Sequence, residues 1–407
     1  MTACRICQTP LEPFMTFGKM PIANGFLSKE EFAGEYFFEL APALCAKCKM
    51  VQIIEQPDPD RMFHDHYPFF TSSSHYMTLH FKKFAEQILQ DNLSQSADPF
   101  VVELGCNDGV LLQNFANRGI RHLGIEPSAN VAAAANKKGV RTVTDFFNEG
   151  LAKKIVAEDG QADAIMAANV MCHIPDLASV AQGVGRLLKN DGVFIFEDPY
   201  LGDIVEKTSY DQIYDEHVFL FCGLSVSNAF SPYGLQLIDV IPQVTHGGSM
   251  RYVLAPTGSR QAKPSVELLL ERERQQGLDR PETFKKFREN CEKSRRDLLA
   301  VLNDLRQKGK RVVGYGATSK STTVINYCGI TPEHIEFISD TTPDKQGKFT
   351  PGGHIPVKPY ADFKNTYPDY ALLFAWNHQV EIMEKEGEFS ASGGKWINFV
   401  PKVEISK

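Results

Sequence analysis

Residues Phe100 to Gly109 read FVVELGCNDG, and Gly124 to Ser128 follow as GIEPS. Phe100, Val101, Val102 and Leu104 form an apolar run suited to a buried parallel strand. Gly105 and Gly109 then open a tight turn into the amphipathic segment Val110 to Asn117. Glu126 closes the next apolar run 21 residues after Gly105, the spacing at which an acidic side chain accepts hydrogen bonds from a ribose diol. No third glycine follows at dinucleotide spacing, and no Gly-Lys-Ser of a P-loop follows either. Such a strand, glycine turn and helix predict an α/β sheet with a ligand at its carboxyl edge.

With Glu103 ahead of the glycine turn, the combination resembles motif I of class I methyltransferases, which use S-adenosylmethionine (SAM). The chain beyond it keeps the same alternation: helix VAAAANKKG, strand VRTVTDFF, helix LAKKIVAE, strand ADAIMAAN. That order predicts a doubly wound parallel sheet over residues 97–260. Asp145 should end the third strand and accept from the adenine amine, with Phe146 or Phe147 flanking the ring. Asn169 should end the fourth, at the methionine end of the cofactor. Gly105, Asn107, Gly109, Glu126, Asp145 and Asn169 form the expected cofactor-binding set along one sheet edge.

At 407 residues the chain is too long for one compact core, so several domains are expected. A net charge of -7 does not promise the basic surface that neutralising phosphates requires, which disfavours nucleic acid as a partner. Met1 to Cys7 lacks the apolar core of a signal peptide, and no run of about 18 apolar residues could span a bilayer. A cytoplasmic protein with no membrane partner is expected. Nine cysteines, four of them in two C-x-x-C pairs, favour a reducing compartment and a metal over disulfides.

Those pairs, Cys4 with Cys7 and Cys45 with Cys48, frame residues 1–60 as a zinc-binding domain. Four thiolates close a tetrahedral shell and leave no open coordination position, so the metal is structural. The 37 residues between Cys7 and Cys45 hold little that could form a core alone, which makes a metal staple physically useful. Residues 61–96 read as a helical bridge, with an N-cap from Thr71 to Ser74 and apolar positions at Met77, Phe81, Phe84, Ile88 and Leu89. Tyr67 and the serines at 72–74 are placed to form a lid over the cofactor or substrate, unless the aromatics only pack between domains.

His173 lies just past the fourth strand in NVMCHIPD. Tyr214, Asp215, Glu216 and His217 put a phenol, carboxylates and an imidazole together in IYDEHVFLF. An imidazole is the side chain best matched to proton abstraction near neutrality. Arg251, in THGGSMRYVLA, is placed to meet an anion. Residues 261–308 read as a linker helix, with apolar positions at 284, 287, 291, 298, 302 and 305 and the charged stretches RERQQ and KSRRD on a solvated face. Residues 309–407 repeat a strand, a glycine turn and a helix in RVVGYGATSKSTTVINYCG. Gly316, Thr318 and Lys320 offer amides, a hydroxyl and a cation for a diphosphate, in what reads as half a Rossmann sheet.

Taken in order, the C-x-x-C pairs, ELGCNDG, NVMCHIPD, IYDEHVFLF, THGGSMR and GYGATSK resemble the three-domain sugar C-methyltransferases, over nearly the whole chain. The resemblance implies an N-terminal zinc domain, a SAM-binding middle domain and a C-terminal Rossmann-like domain that helps hold a sugar nucleotide. It implies a nucleotide-linked 4-keto deoxyhexose (dTDP- or GDP-linked) as substrate. It matches Cys4, Cys7, Cys45 and Cys48 to the zinc ligands, and His173, Tyr214, Glu216 and His217 to the residues around the reacting sugar. In the mechanism this suggests, His217, oriented by Glu216 and assisted by Tyr214, removes the C3 proton beside the C4 ketone. His173 then meets the enolate oxygen, and C3 takes the SAM methyl. Methylation at C5, a macromolecular methyl acceptor and a non-catalytic zinc and nucleotide-binding protein remain the alternatives.

Overall fold

The computed structural model describes residues 2–58, 70–94 and 96–406. Its N-terminal unit is built from very short strands. β1 (Lys19–Pro21) pairs antiparallel with β2 (Phe37–Glu39), and β3 (Pro42–Leu44) pairs antiparallel with β4 (Val51–Ile53). Strands of three residues bury too little to stand alone. Two neighbours supply what is missing. The cysteines gather at one end, and β4 takes a further antiparallel partner, Phe219–Leu220, from far along the chain. Leu11, Met15, Phe17 and Phe38 accordingly belong to one continuous apolar core that reaches through the middle of the molecule to Val400.

The middle sheet begins with β5 (Phe100–Leu104), buried at all five positions, as a parallel strand covered by helices on both faces must be. β6 (Arg121–Ile125), β7 (Thr142–Val143), β8 (Ala162–Ala168) and β9 (Leu188–Pro199) join it in parallel. After the pair Phe219–Leu220 (β10) come β11 (Leu235–Gln243) and β12 (Ser249–Pro256). The order is β11-β12-β9-β8-β5-β6-β7, with β12 antiparallel to both neighbours. The strand order reverses direction at β5, so a crevice opens at the carboxyl ends of β5 and β8. The third strand is shorter than the run VRTVTDFF suggests: it ends at Val143, and Asp145 sits in the turn beyond.

Helix His75–Ile88 precedes this sheet, with the Ser74 hydroxyl accepting from the Met77 amide and Met77, Phe81, Phe84 and Ile88 buried. Helix Pro281–Gln307 buries Phe284, Phe287, Cys291, Leu298, Leu302 and Leu305, the positions its helical period picks out. In the preceding helix, Pro264–Gln276, the solvated reading of RERQQ fails at one position. Glu273 is fully buried and accepts from the Gly223 and Leu224 amides and from the Tyr200 hydroxyl. A carboxylate there caps a distant helix, Gly223–Phe230, whose first amides lack intrahelical partners.

The C-terminal unit is more than half a Rossmann sheet. β13 (Val312–Tyr315), β14 (Ile338–Asp340), β15 (Val357–Pro359), β16 (Tyr370–Leu373) and β17 (Lys395–Asn398) are parallel, and β18 (Glu404–Ile405) is an antiparallel edge. The order is β15-β14-β13-β16-β17-β18, which again puts β13 at the reversal. Among the described residues no helix is long and apolar enough to cross a membrane.

Candidate active site

The two reversal points face one another across a single cavity of about 1640 Å³. One drug-sized ligand occupies roughly 300–1000 Å³, so the space suits two. The middle sheet supplies Gly105, Asn107, Glu126, Asp145 and Asn169 to its wall, the C-terminal sheet Thr318 and Lys320, and the N-terminal unit Asn24. His173, Tyr214, Glu216 and His217 line the same space.

The glycine corner of the middle sheet holds its shape through one carboxylate. Glu126 Oε2 accepts from the Asn107 amide at 2.9 Å, and Oε1 from the Ser128 amide at 2.9 Å. Burial raises the Glu126 pKa above the ordinary glutamate range, and those two amides oppose the shift. Gly105 turns the chain at φ 63°, where a Cβ would meet Val170 Cγ2 at 2.5 Å. Asn169, also at positive φ, lines the cavity with a buried Oδ1 that has no hydrogen-bond partner among the described residues. An orphaned acceptor at the carboxyl edge calls for a ligand donor. Above the corner, the Thr71 amide and hydroxyl donate to Asn107 Oδ1 (3.0 and 3.2 Å), and Ser72 reaches Asp108. The segment after residue 70 thus rides on the glycine turn, while Tyr67 lies outside the described residues.

The cluster at 214–217 is organised differently from its expected form. His217 Nδ1 lies 2.7 Å from the Gln212 carbonyl, which can only accept, so Nδ1 carries the proton. Nε2 is then the basic nitrogen, 3.1 Å from the Tyr214 hydroxyl, which donates to it. Glu216 does not orient the imidazole: its Oε1 accepts from Asn24 Nδ2 at 2.6 Å. The His173 ring lies 5.3 Å from that of His217. Burial, with His173 and Lys320 nearby, holds His217 well below the ordinary histidine range, and burial pushes His173 down to about 4. Both rings are therefore neutral at physiological pH. Glu216 is raised to about 7 by burial, with Asn24 and Lys345 opposing the shift.

Across the cavity, Thr318 Oγ1 accepts from the Ser321 amide at 3.1 Å and caps helix Ser319–Cys328. Lys320 is half-buried, and desolvation lowers its pKa while Asp211 counters that loss. Asp211 itself is raised to about 6 by burial, against Lys320 and the Trp376 indole, which donates to it at 2.6 Å. Lys345 also lines the cavity and donates to the Ala317 carbonyl at 2.8 Å.

A C-methyltransferase, NovU, from Streptomyces niveus is 33% identical over 405 residues, 99% of this chain and 96% of that protein. The model of the C-methyltransferase C-terminal domain matches residues 244–401, that of a methyltransferase domain residues 75–240, and that of a zinc binding domain residues 4–63. The chain belongs to the three-domain C-methyltransferase family. It is a SAM-dependent enzyme. A ubiquinone biosynthesis O-methyltransferase from Ralstonia nicotianae is 29% identical over 98 residues, 24% of this chain and 41% of that protein. The solved magnesium protoporphyrin IX methyltransferase of Synechocystis PCC 6803, with SAM bound, covers 49% of this chain and 89% of its own at 14% identity and a TM-score of 0.34.

In this C-methyltransferase the four cysteines of the zinc unit come together as the spacing implies. Cys4 and Cys48 sulfurs are 3.5 Å apart, Cys7 and Cys45 3.4 Å, and all four lie within 4.8 Å of one another. A disulfide would need about 2.05 Å. A zinc–sulfur distance of about 2.3 Å puts tetrahedral sulfurs about 3.8 Å apart, so the donor set fits the ion.

Three expected binding residues do not reach the cavity. Arg251 is 4% exposed and pairs with Glu197 (Nη2 to Oε2, 2.8 Å), donates to Gln87 and stacks 3.7 Å over Phe84, so its charge is already satisfied inside the fold. Gly109 packs where a Cβ would meet Val140 and Ala135 at 3.0–3.1 Å; its role is helix packing. Gly316 donates its amide to the Ser339 carbonyl and shapes the second glycine turn from behind. Sequence reasoning passed over Asn24, Gln212, Asp211, Lys345 and Trp376. Asn24 sits in MPIANGF, where nothing local marks it, and Gln212 acts through its backbone.

Proposed function

We propose that this C-methyltransferase methylates C3 of a nucleotide-linked 4-keto deoxyhexose through a base-generated enolate. One observation carries the reading: a Tyr214–His217 pair with its tautomer fixed by Gln212 opens into a cavity that also holds a nucleoside-type corner and a cationic corner. A C–H bond beside a ketone is acidic enough for such a pair. As the Tyr214 oxygen takes the C3 proton, its own proton passes to His217 Nε2, and the electron pair spreads from C3 to the C4 oxygen. His173, neutral and beside His217, is placed to meet the charge growing on that oxygen. Glu216, whose Oε2 makes no hydrogen bond among the described residues, is set to accept from a sugar hydroxyl and hold the ring in register.

Glu126, Asp145 and Asn169 would hold SAM, with the glutamate taking the ribose diol. Bound SAM supplies the electrophilic methyl group that the C3 carbanion equivalent needs. Thr318, Lys320 and Lys345 would take the diphosphate, with dTDP or GDP as the carrier.

The test is a mass-spectrometric screen of 4-keto sugar nucleotides with SAM, following a gain of CH2 and loss of deuterium from C3. Deuterium loss from C5 instead would move the reaction to the other carbon alpha to the ketone. His217→Asn should lower kcat by about 10²–10⁴-fold, the usual range for a removed general base, with the SAM Kd unchanged. Full turnover in that variant would refute the assignment.

A further inference from the structure

The zinc unit reaches into the catalytic centre. Its loop Ile22–Gly25 is wedged between the 214–217 segment and helix Ser319–Cys328. The Ala23 amide donates to the Asp215 carboxylate at 3.1 Å, and the Thr322 hydroxyl donates to the Ala23 carbonyl at 3.0 Å. Between these anchors the Asn24 carboxamide is used at both ends. Nδ2 donates to Glu216 Oε1 at 2.6 Å, and Oδ1 accepts from the Ser319 hydroxyl at 2.8 Å. Three units therefore meet on one side chain, which itself lines the cavity.

The chemistry of the three partners fixes how the amide sits. An ionised carboxylate only accepts, so the NH2 group must face Glu216, and the carbonyl is left to the Ser319 hydroxyl. Hydrogen bonds to a charged group are short and strong, and this one spans 192 positions of sequence. With Oε1 occupied, Glu216 has one oxygen left for the cavity.

We propose that Asn24 is a positioning residue for methyl transfer: it fixes the Glu216 carboxylate so that the free oxygen Oε2 faces the substrate. The N-terminal unit then has a role beyond its own fold, because its loop after β1 delivers Asn24. The inference rests on the role given to Glu216 above.

The charged and titratable groups facing Glu216 are Asp215 beside it, Lys345 from the loop after β14, and Cys172. His217 and His173 titrate far below it, and Glu216→Gln tells the Glu216 acid limb near 7 from those of Asp215, Asp198 and Asp211, which burial also raises. Removing a donor to a carboxylate raises its pKa. Asn24→Ala in the full-length, zinc-loaded enzyme should lower kcat about tenfold and move that acid limb to higher pH by about half a unit to one unit, as expected for a lost hydrogen bond to a charged group. Zinc content and the SAM Kd should stay unchanged. Ser319→Ala, which removes only the hydroxyl that fixes the amide, should shift the limb in the same direction by less. In a Glu216→Gln background, Asn24→Ala should cost nothing further.

Unchanged kcat and pH profile in Asn24→Ala would overturn the proposal. So would a loss of zinc or of SAM affinity in step with kcat, which would make the contact merely structural. If Asn24→Ala does not fold, the Ser319→Ala profile decides in the same way. Glu216→Gln separates the two readings. A Glu216→Gln enzyme that keeps its acid limb refutes the role of Glu216 itself. A flattened limb there, with Asn24→Ala behaving as wild type, refutes Asn24 alone.

Discussion

The two glycine corners of this enzyme are built on the same device and end with opposite chemistry. In the middle sheet, Glu126 follows the second strand and accepts from the Asn107 amide of the first turn and from the Ser128 amide two residues on. In the C-terminal sheet, Asp340 ends the second strand and accepts from the Ala317 amide of the first turn and from the Thr342 amide two residues on, both at 2.7 Å. One methylene separates them. The longer Glu126 still lines the cavity, whereas Asp340 does not. Among the described residues, the only lysines or arginines in the cavity wall, Lys320 and Lys345, both come from the C-terminal unit. A carboxylate left facing the cavity suits hydroxyls and a sulfonium. A carboxylate tied to the corresponding two amides but kept out of the cavity, with lysines lining it instead, suits an anion. On the proposed assignment of ligands, one fold element would take either charge of ligand according to which side chains line the cavity once the turn is tied.

The strongest way to break this contrast is a pair of substitutions read against both ligands. Glu126→Ala should weaken SAM about a hundredfold and leave the sugar nucleotide unchanged, since a charged hydrogen-bond acceptor contributes about 1.5–3 kcal/mol. Lys320→Met should weaken the sugar nucleotide about tenfold and leave SAM unchanged. Calorimetric titration of each variant with each ligand measures all four values. Equal losses for both ligands in either variant would mean that the corners do not divide the labour.

A smaller effect comes from pH. Asp211, raised to about 6, is ionised above that value and opposes an anion beside Lys320; below it the carboxyl is neutral and Lys320 stands uncompensated. Glu126, raised above its ordinary range, loses charge as pH falls. The sugar-nucleotide KM should therefore tighten by a few-fold as pH drops through 6, roughly a fraction of one pKa unit of coupling, whereas the SAM KM should weaken once the pH falls far enough to protonate Glu126. His246, held down to about 3, and His173, at about 4, stay neutral through this window and do not mask the change. Asp211→Asn should remove the tightening near pH 6 on the sugar side and leave the Glu216 limb near 7 and the SAM side in place.

What could be read from the chain beforehand was local. The C-x-x-C pairs, the glycine turns and the helical period of 281–307 each declare themselves within a few residues, because turn geometry and helix pitch are short-range constraints. The residues misread or passed over depend on distant partners. Arg251 meets Glu197 54 positions away, Glu273 caps a helix 50 positions away, and Asn24 meets Glu216 192 positions away. An arginine after a glycine turn looks like an anion ligand until the buried carboxylate opposite it is known. The carbonyl that sets the His217 tautomer carries no side-chain signature at all.

The finest test of the contrast between the corners is Asp340→Asn. Its two oxygens each accept a backbone amide, and the amide side chain retains only one acceptor. The new NH2 must then face an N–H donor, leaving a part-buried amide unsatisfied, which costs about 1–3 kcal/mol. Because Asp340 does not line the cavity, that cost should appear as a lower unfolding midpoint in denaturant, while both ligand affinities change less than about twofold, within half a kcal/mol. Glu126→Gln removes the same kind of acceptor from the other corner, and there the loss should show in SAM affinity as well as in stability. If Asp340→Asn instead weakened the sugar nucleotide tenfold at unchanged stability, its carboxylate would be a ligand contact. The extra methylene of Glu126 would then not be what separates the two sites.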